Sequence, residues 1–365
     1  MPIQRRLKSR ANTGPKKSVV LSEPVGCRNW LLLIGLLIAS LPVLYYAKQI
    51  QHTDVQTERI PMDNKDRAMF FVADLPGKGK GAIAARDIKQ GELVIRERPL
   101  FVVPRQINSS PTALISGLLA KTSSDDQSTF MNLSYVNFPE HLKPEKSPDE
   151  VALAIFQTNA VAAGDGVGIF PRMARLNHGC SSAFNVVYSW REKEGVLVVY
   201  ALKSIRKGEE LLTTYTELRR PREQRRAYLM EHYGFYCTCS VCSLPEEQSR
   251  ASDIRLATIS EEYARFGTWG NHKISGKEAI DHIRKIWALE DEEGYWSERG
   301  RLAADAAWIA AAHSDNTATE EWARKAVEWY SYEVGGDSEQ IMELQKTLAQ
   351  AWGTREKMDV GGPGL

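Results

Sequence analysis

Cysteine is scarce in this chain, five in 365 residues, which argues against a disulfide-stapled secreted scaffold. Excess charge is missing too. Forty-seven Lys and Arg face 46 Asp and Glu, so no global field draws the chain toward nucleic acid. Repeats of solenoid length are lacking ahead of residue 244. A glycine-rich loop, Gly77-Lys78-Gly79-Lys80-Gly81, has strand-like text on both sides and no helix after it. That excludes a dinucleotide fingerprint and a phosphate loop, both of which need a following helix N-terminus.

What is present suggests about two domains for this length. Hydrophobic residues make up 43% of the chain and nine are Trp, enough for a substantial core. Residues 1–29 are basic and polar and read as a disordered tail. Residues 30–47 carry no charge, with Trp30 at one end and Tyr45 and Tyr46 at the other. Eighteen helical residues span about 27 Å, close to the hydrocarbon core of a bilayer, so a single transmembrane anchor is expected. The competing reading is a buried core helix. Residues 48–66 read as a linker. The denser positive charge ahead of the anchor favours a cytosolic N-terminus with the rest outside. Free thiolates pull the other way, toward a cytosolic or nuclear face for the main domain.

Three thiols fall within six residues, Cys237, Cys239 and Cys242. C-x-C-x-x-C supplies three of the four ligands a structural zinc needs. Cys27 lies beside the apolar segment, which leaves Cys180 as the fourth. The competing reading makes Cys180 a small buried hydrophobe and the other three a surface loop with a stray disulfide. If the metal forms, it ties the Asn177-His178 loop to the segment ending at Cys242 and turns the residues before Cys237 toward that loop.

From Met69 the text is strand-like, with glycine turns at Pro76-Gly77 and Gln90-Gly91. Residues 105–165 read as a mostly helical insert, with helices near Thr112–Ala120 and Pro148–Ala163. A hairpin is expected from Ala183–Trp190 and Gly195–Leu202. Ile205-Arg206-Lys207-Gly208-Glu209-Glu210 echoes Ile88-Lys89-Gln90-Gly91-Glu92, and both read as glycine turns feeding a strand. After residue 244 strand signals stop, and five helical segments run to Trp352, resembling stacked hairpins. Trp322, Ala326, Trp329 and Tyr330 share a helical face, which reads as core packing. Residues 358–365 are expected to form a free tail. Taken alone, Lys78 and Lys80 suit either a bound carboxylate or a solvated turn.

In order, these motifs resemble the SET-domain family of protein lysine methyltransferases, most closely its SET–MYND-like branch. The resemblance rests on Gly79–Glu92 (G-K-G-A-I-A-A-R-D-I-x-x-G-E), on Arg175-Leu176-Asn177-His178-Gly179-Cys180, on Ile205–Glu210 with Thr213-Thr214-Tyr215, and on Tyr233–Cys242. It covers residues 69 to 243, with a placement similar to the branch's tetratricopeptide-like domain afterwards. It implies an α+β architecture: a SET domain over 67–217, a zinc-binding post-SET segment over 218–243 and an all-α domain over 244–357. The Asn177–Cys180 segment would thread the fold like a knot. S-adenosylmethionine would bind Lys78, Gly79, Lys80, Gly81, Asn177, His178, Tyr215 and Phe235. Tyr233 and Tyr215 would be catalytic, zinc would sit on Cys180, Cys237, Cys239 and Cys242, and the partner would be a protein carrying a lysine. Phe70, Phe235 and Tyr236 are candidates to narrow the lysine channel. The sequence departs from the family after Cys180: Ser181-Ser182-Ala183-Phe184-Asn185 lacks the usual Pro and reaches its Asn two residues late. No MYND-type cysteine cluster exists, so that finger's partner binding does not carry over. An idle SET fold acting as a membrane-tethered interaction module is the second reading. Zinc hydrolysis fails because four thiolates leave water no open position.

Overall fold

The computed structural model describes residues 69–349 and 353–364. The expected anchor at 30–47 and the segments flanking it lie outside the described residues. Among those described, no helix is long and apolar enough to cross a membrane.

The first half is built from four small sheets. β1 (Phe70–Leu75) and β2 (Gly79–Ala84) form an antiparallel hairpin with Leu75 opposite Gly79. β3 (Leu93–Glu97), β9 (Val196–Ala201) and β8 (Val186–Arg191) form a three-stranded sheet centred on β9. All six residues of β9 are buried, as a central strand with covered faces requires. β4 (Val102–Pro104), β6 (Gly166–Gly168) and β5 (Val161–Ala163) make a third sheet. The fourth joins β7 (Asn177–His178) in parallel to β10 (Leu212–Thr213), bringing together two motifs 35 residues apart (212 − 177). The two echoing turns pair with each other: Ile88 and Ile205 exchange backbone bonds of 2.8 and 2.9 Å.

The insert holds α1 (Pro111–Leu119), α2 (Ser124–Met131) and α3 (Pro148–Asn159), the last ending four residues earlier than the sequence suggests because Val161–Ala163 pairs as β5. Pro stands at the first turn of α1 and α3, where its missing N–H costs nothing. Phe101, Phe130 and Phe156 form the insert's aromatic core.

α4 (Arg222–Tyr233) leads to the cysteine segment, and the rest is helical: α5 (Glu246–Phe266), α6 (Gly276–Glu293), α7 (Arg299–Ala312), α8 (Asn316–Glu333) and α9 (Glu339–Leu348). Ser275 and Glu278 form a full capping box at the start of α6, and Asp315 caps α8 by accepting the Ala318 amide. The alanine-rich α7 is buried nearly throughout, which lets its neighbours pack close. The tryptophan stripe is core as expected: Trp322 and Ala326 are fully buried and Trp329 nearly so. Residues 353–364 return along this domain rather than running free. Met358 N–H donates to His313 O, and the Asp315 carboxylate accepts the amides of Val360 and Gly361 at 2.9 and 3.2 Å.

Candidate functional site

Parallel pairing of β7 with β10 puts Asn177 and His178 beside the segment that carries Tyr215. Gly179 continues the ladder, its N–H donating to Thr213 O at 2.7 Å. Any side chain there would meet the Phe184 amide at 2.8 Å, so only glycine admits the turn into Cys180. Asn185, the late asparagine of the motif, locks the other side: its Oδ1 accepts the Leu212 amide and its Nδ2 donates to Glu210 O.

His178 is buried among Tyr215 and Phe235, with ring centroids 5.5 and 6.3 Å away. Burial holds its pKa down at about 4, so the imidazole is neutral near pH 7. Its Nδ1 accepts the Tyr215 backbone N–H at 3.0 Å, which assigns the proton to Nε2. That proton faces Cys180 Sγ at 3.1 Å. Both ring nitrogens are therefore committed, and His178 has none left to act as a base.

The two tyrosines pack ring against ring at a tilt of 37°, with centroids 4.9 Å apart. Tyr215 OH donates to Leu176 O at 2.6 Å, and burial raises its pKa far above the ordinary range. Tyr233 is pushed up to about 12 by burial and by Tyr228. Both stay protonated at any physiological pH. Tyr233 closes α4, and Gly234 with φ 68° reverses the chain so that Phe235 can return toward His178.

Cys180, Cys237, Cys239 and Cys242 are all buried, with sulfurs within 4.8 Å of one another. Cys180 and Cys242 are 3.6 Å apart and none of the four is in a disulfide. A zinc tetrahedron with bonds of about 2.3 Å has sulfur–sulfur edges of about 3.8 Å. The donor set thus fits zinc in number, softness and spacing. Crowding by the other thiols pulls Cys239 down and pushes Cys180 up, the pattern of sulfurs sharing protons that a cation would displace. Arg226 clamps this loop, donating to Cys237 O and Cys242 O at 3.3 and 2.8 Å and covering the Tyr236 ring at 4.2 Å. Arg225 is fully buried and uses Nη1 on Arg220 O and on Asp253 at 3.2 Å, while its Nε and Nη2 have no partner.

On the other side lies the β1–β2 hairpin. Residues 82–84 of β2 bond to Gly208, Glu209 and Leu211, and the edge at Gly79–Gly81 carries none of those bonds. A Cβ on Gly79 would meet nothing within 4 Å, whereas one on Gly81 would strike Asn177 Nδ2 at 2.7 Å. The glycine edge therefore runs alongside Asn177. Asn177 Nδ2 donates to Glu210 at 2.9 Å, and Lys78 pairs with the same carboxylate at 2.6 Å. Lys80 is instead engaged by Asp74 across the hairpin at 3.2 Å. An open backbone edge, a flanking cation and an aromatic wall at His178, Tyr215 and Phe235 suit a ligand with a charged amino-acid end and a flat ring.

Of the residues singled out in the sequence, Lys78, Gly79, Gly81, Asn177, His178, Tyr215, Tyr233, Phe235 and the four thiols lie around this centre. Phe70 lies under Arg172, and Tyr236 is mostly exposed beneath Arg226. The sequence reading missed Glu210, Arg225 and Glu97. Glu97 accepts the Arg172 and Met173 amides at 2.9 and 3.1 Å, just ahead of β7, and burial raises its pKa to about 7.

Residues 79–216 match the family model described as SET domain. The chain is 29% identical over 291 residues to histone-lysine N-methyltransferase set5 of Schizosaccharomyces pombe, covering 78% of this chain and 85% of that protein. Over 90 residues it is 37% identical to N-lysine methyltransferase SMYD2 of Gallus gallus, 25% of this chain and 20% of that one. The solved SET domain of LSMT bound to lysine and AdoHcy aligns over 77% of this chain and 86% of its own, at 12% identity with a TM-score of 0.34. A likeness of that degree carries no weight for the site.

Proposed function

We propose that the protein is a SET-type protein-lysine N-methyltransferase that takes its methyl group from S-adenosylmethionine. The observation that carries the proposal is the packed Tyr215–Tyr233 pair, ring centroids 4.9 Å apart and tilted by 37°, beside the Asn177-His178 strand. A relative named as a histone-lysine methyltransferase, matched over 78% of this chain, supports it. An interaction module has no use for two half-buried, protonated tyrosines at one point.

The cofactor supplies a methyl group on a positively charged sulfur. Residues of this chain do the positioning. The Gly79–Gly81 edge and Asn177 hold the donor's amino-acid end, with Lys78 released from Glu210 to meet its carboxylate. His178 contributes its backbone and its ring wall, with Phe235 covering the other side. A substrate lysine is protonated in water, with a pKa of about 10.4, and must shed that proton before it can accept a methyl. An apolar, dehydrated channel favours the neutral amine. Tyr233 OH then accepts an N–H bond from the amine and aims its lone pair, while the bond to Leu176 O leaves the Tyr215 oxygen's lone pairs for weak contacts to the methyl. Alignment is the main contribution, as expected where no acid or base is required at the moment of transfer.

Cys180, Cys237, Cys239 and Cys242 hold a structural zinc that fixes Tyr233 and Phe235 against the strand bearing Asn177. The substrate is a protein, the helical region serves as a tetratricopeptide-like domain, and domain limits follow the sequence reading. The uncharged run at residues 30–47 supports a membrane tether, and the free thiols favour the cytosolic or nuclear face for the SET domain.

The test is methyl transfer from labelled S-adenosylmethionine to candidate proteins, with the modified residue located by mass spectrometry. Label on lysine, lost in Tyr233→Phe, supports the proposal. No transfer and no donor affinity in a folded, zinc-loaded chain favours the interaction-module reading.

A further inference from the structure

The segment that departs from the family pattern, Ser181-Ser182, is where the helical domain meets the site. Ser181 follows the ligand Cys180 directly, is completely buried, and takes a φ of 23°, which a non-glycine residue adopts only when its surroundings hold it there. Its hydroxyl donates to Glu293 Oε1 at 2.8 Å. Glu293 ends α6 and is itself anchored within the helical domain. Ser252 donates to Oε1 at 2.6 Å, and Arg255 meets Oε2 at 2.8 and 2.9 Å. A second bond set runs alongside: Lys203 donates to both Ser182 O and Gly294 O at 2.7 Å. Gly294 sits so close that a Cβ there would lie 3.0 Å from Ser182 Cβ.

We propose that Glu293 is a positioning residue of the methyl-transfer site, acting across the domain junction through the Ser181 hydroxyl to fix the Asn177–Cys180 loop. The proposal rests on the methyltransferase reading above. A buried carboxylate held from three sides is a rigid anchor, and hydroxyl-to-carboxylate bonds away from water are strong and directional. Ser181 is one residue from a thiol that faces His178, and His178 is bonded to the Tyr215 amide. Fixing Ser181 therefore fixes both walls of the donor site. In this chain the bond does what a rigid proline after Cys180 does for the family pattern: it removes freedom from the loop.

The experiment compares the full-length chain with Ser181→Ala, Glu293→Gln and Ser252→Ala. Two readouts are taken: hydrogen exchange at residues 177–185, and calorimetric affinity for S-adenosylmethionine. Ser252→Ala removes a bond from the same carboxylate without touching the loop. The proposal expects loop amides to exchange about tenfold faster, and donor affinity to fall about fivefold or more, in Ser181→Ala and Glu293→Gln. Ser252→Ala, which loosens the anchor but keeps the Ser181 bond, should change both by less than either of these. Unchanged loop protection in Ser181→Ala overturns the proposal. So does an equal effect of Ser252→Ala, or faster exchange with no loss of donor affinity. A wild-type chain with no donor affinity sinks the methyltransferase reading instead, and the exchange comparison still decides whether the tether holds the loop.

Discussion

The Tyr215 amide donates to His178 Nδ1 at 3.0 Å, and this bond sets which way the imidazole proton points. Because Nε2 carries it toward Cys180 at 3.1 Å, one side chain links the donor-site strand to the thiol cluster. The geometry of the thiol cluster and that of the Asn177–Tyr215 region are therefore mechanically coupled, as outer-shell partners couple to metal sites. Damage to either should be felt by the other.

Tyr233→Phe removes one hydroxyl and keeps the ring that packs against Tyr215. The turnover number for lysine methylation is expected to fall about 10- to 100-fold, since a positioning bond of about 1.5–3 kcal/mol is lost. Donor affinity should change less than threefold. Steady-state kinetics beside calorimetry will separate the two effects.

Zinc should be present at one atom per chain by elemental analysis, and Cys239→Ser should lose it together with donor affinity. Arg225 carries a sharper expectation. A four-thiolate zinc centre is doubly negative, and Arg225 is the buried cation beside Cys180 and Cys242 with two nitrogens unused. Arg225→Met should speed zinc release to a chelator about 10- to 100-fold, the usual scale for losing an outer-shell partner.

Burial raises the Glu333 pKa from 4.5 to about 8, and its carboxyl accepts the Gly300 amide at 3.1 Å. The folded chain then holds a proton that the unfolded chain releases. The stability contribution is full below about pH 4.5 and is lost as pH rises toward 8, by up to about 1.4 kcal/mol per unit. Urea midpoints at pH 5 and pH 8 should show this decline, and Glu333→Gln should flatten it.

Trp322 is fully buried against Trp287, and its indole N–H donates to Gly361 O at 3.2 Å. Trp322→Ala should destabilise the helical domain by about 3–5 kcal/mol through the cavity it leaves. Chemical denaturation followed by tryptophan fluorescence measures the loss.

Spacing made the thiol cluster legible, because three cysteines in six residues have few other uses. Tyr233 and Phe235 were legible through their closeness to Cys237. The echo of Ile88–Glu92 in Ile205–Glu210 was visible as likeness, but their mutual pairing was not, since two similar turns need not touch. Arg225 and Glu293 were hidden for a common reason. Each lies on a helix rich in charged residues, where a single Arg or Glu reads as a solvated face. Only the packing of α4 and α6 against the SET core buries them. Residues 358–364 misled in the same way: their glycines suggest freedom, while Asp315 and the burial of Val360 remove it.

The most direct test of the account is calorimetric titration of S-adenosylmethionine into the zinc-loaded full-length chain. The account predicts saturable binding at one donor per chain, weakened at least tenfold by Asn177→Ala. A folded chain that holds its zinc and shows no heat of donor binding would contradict it.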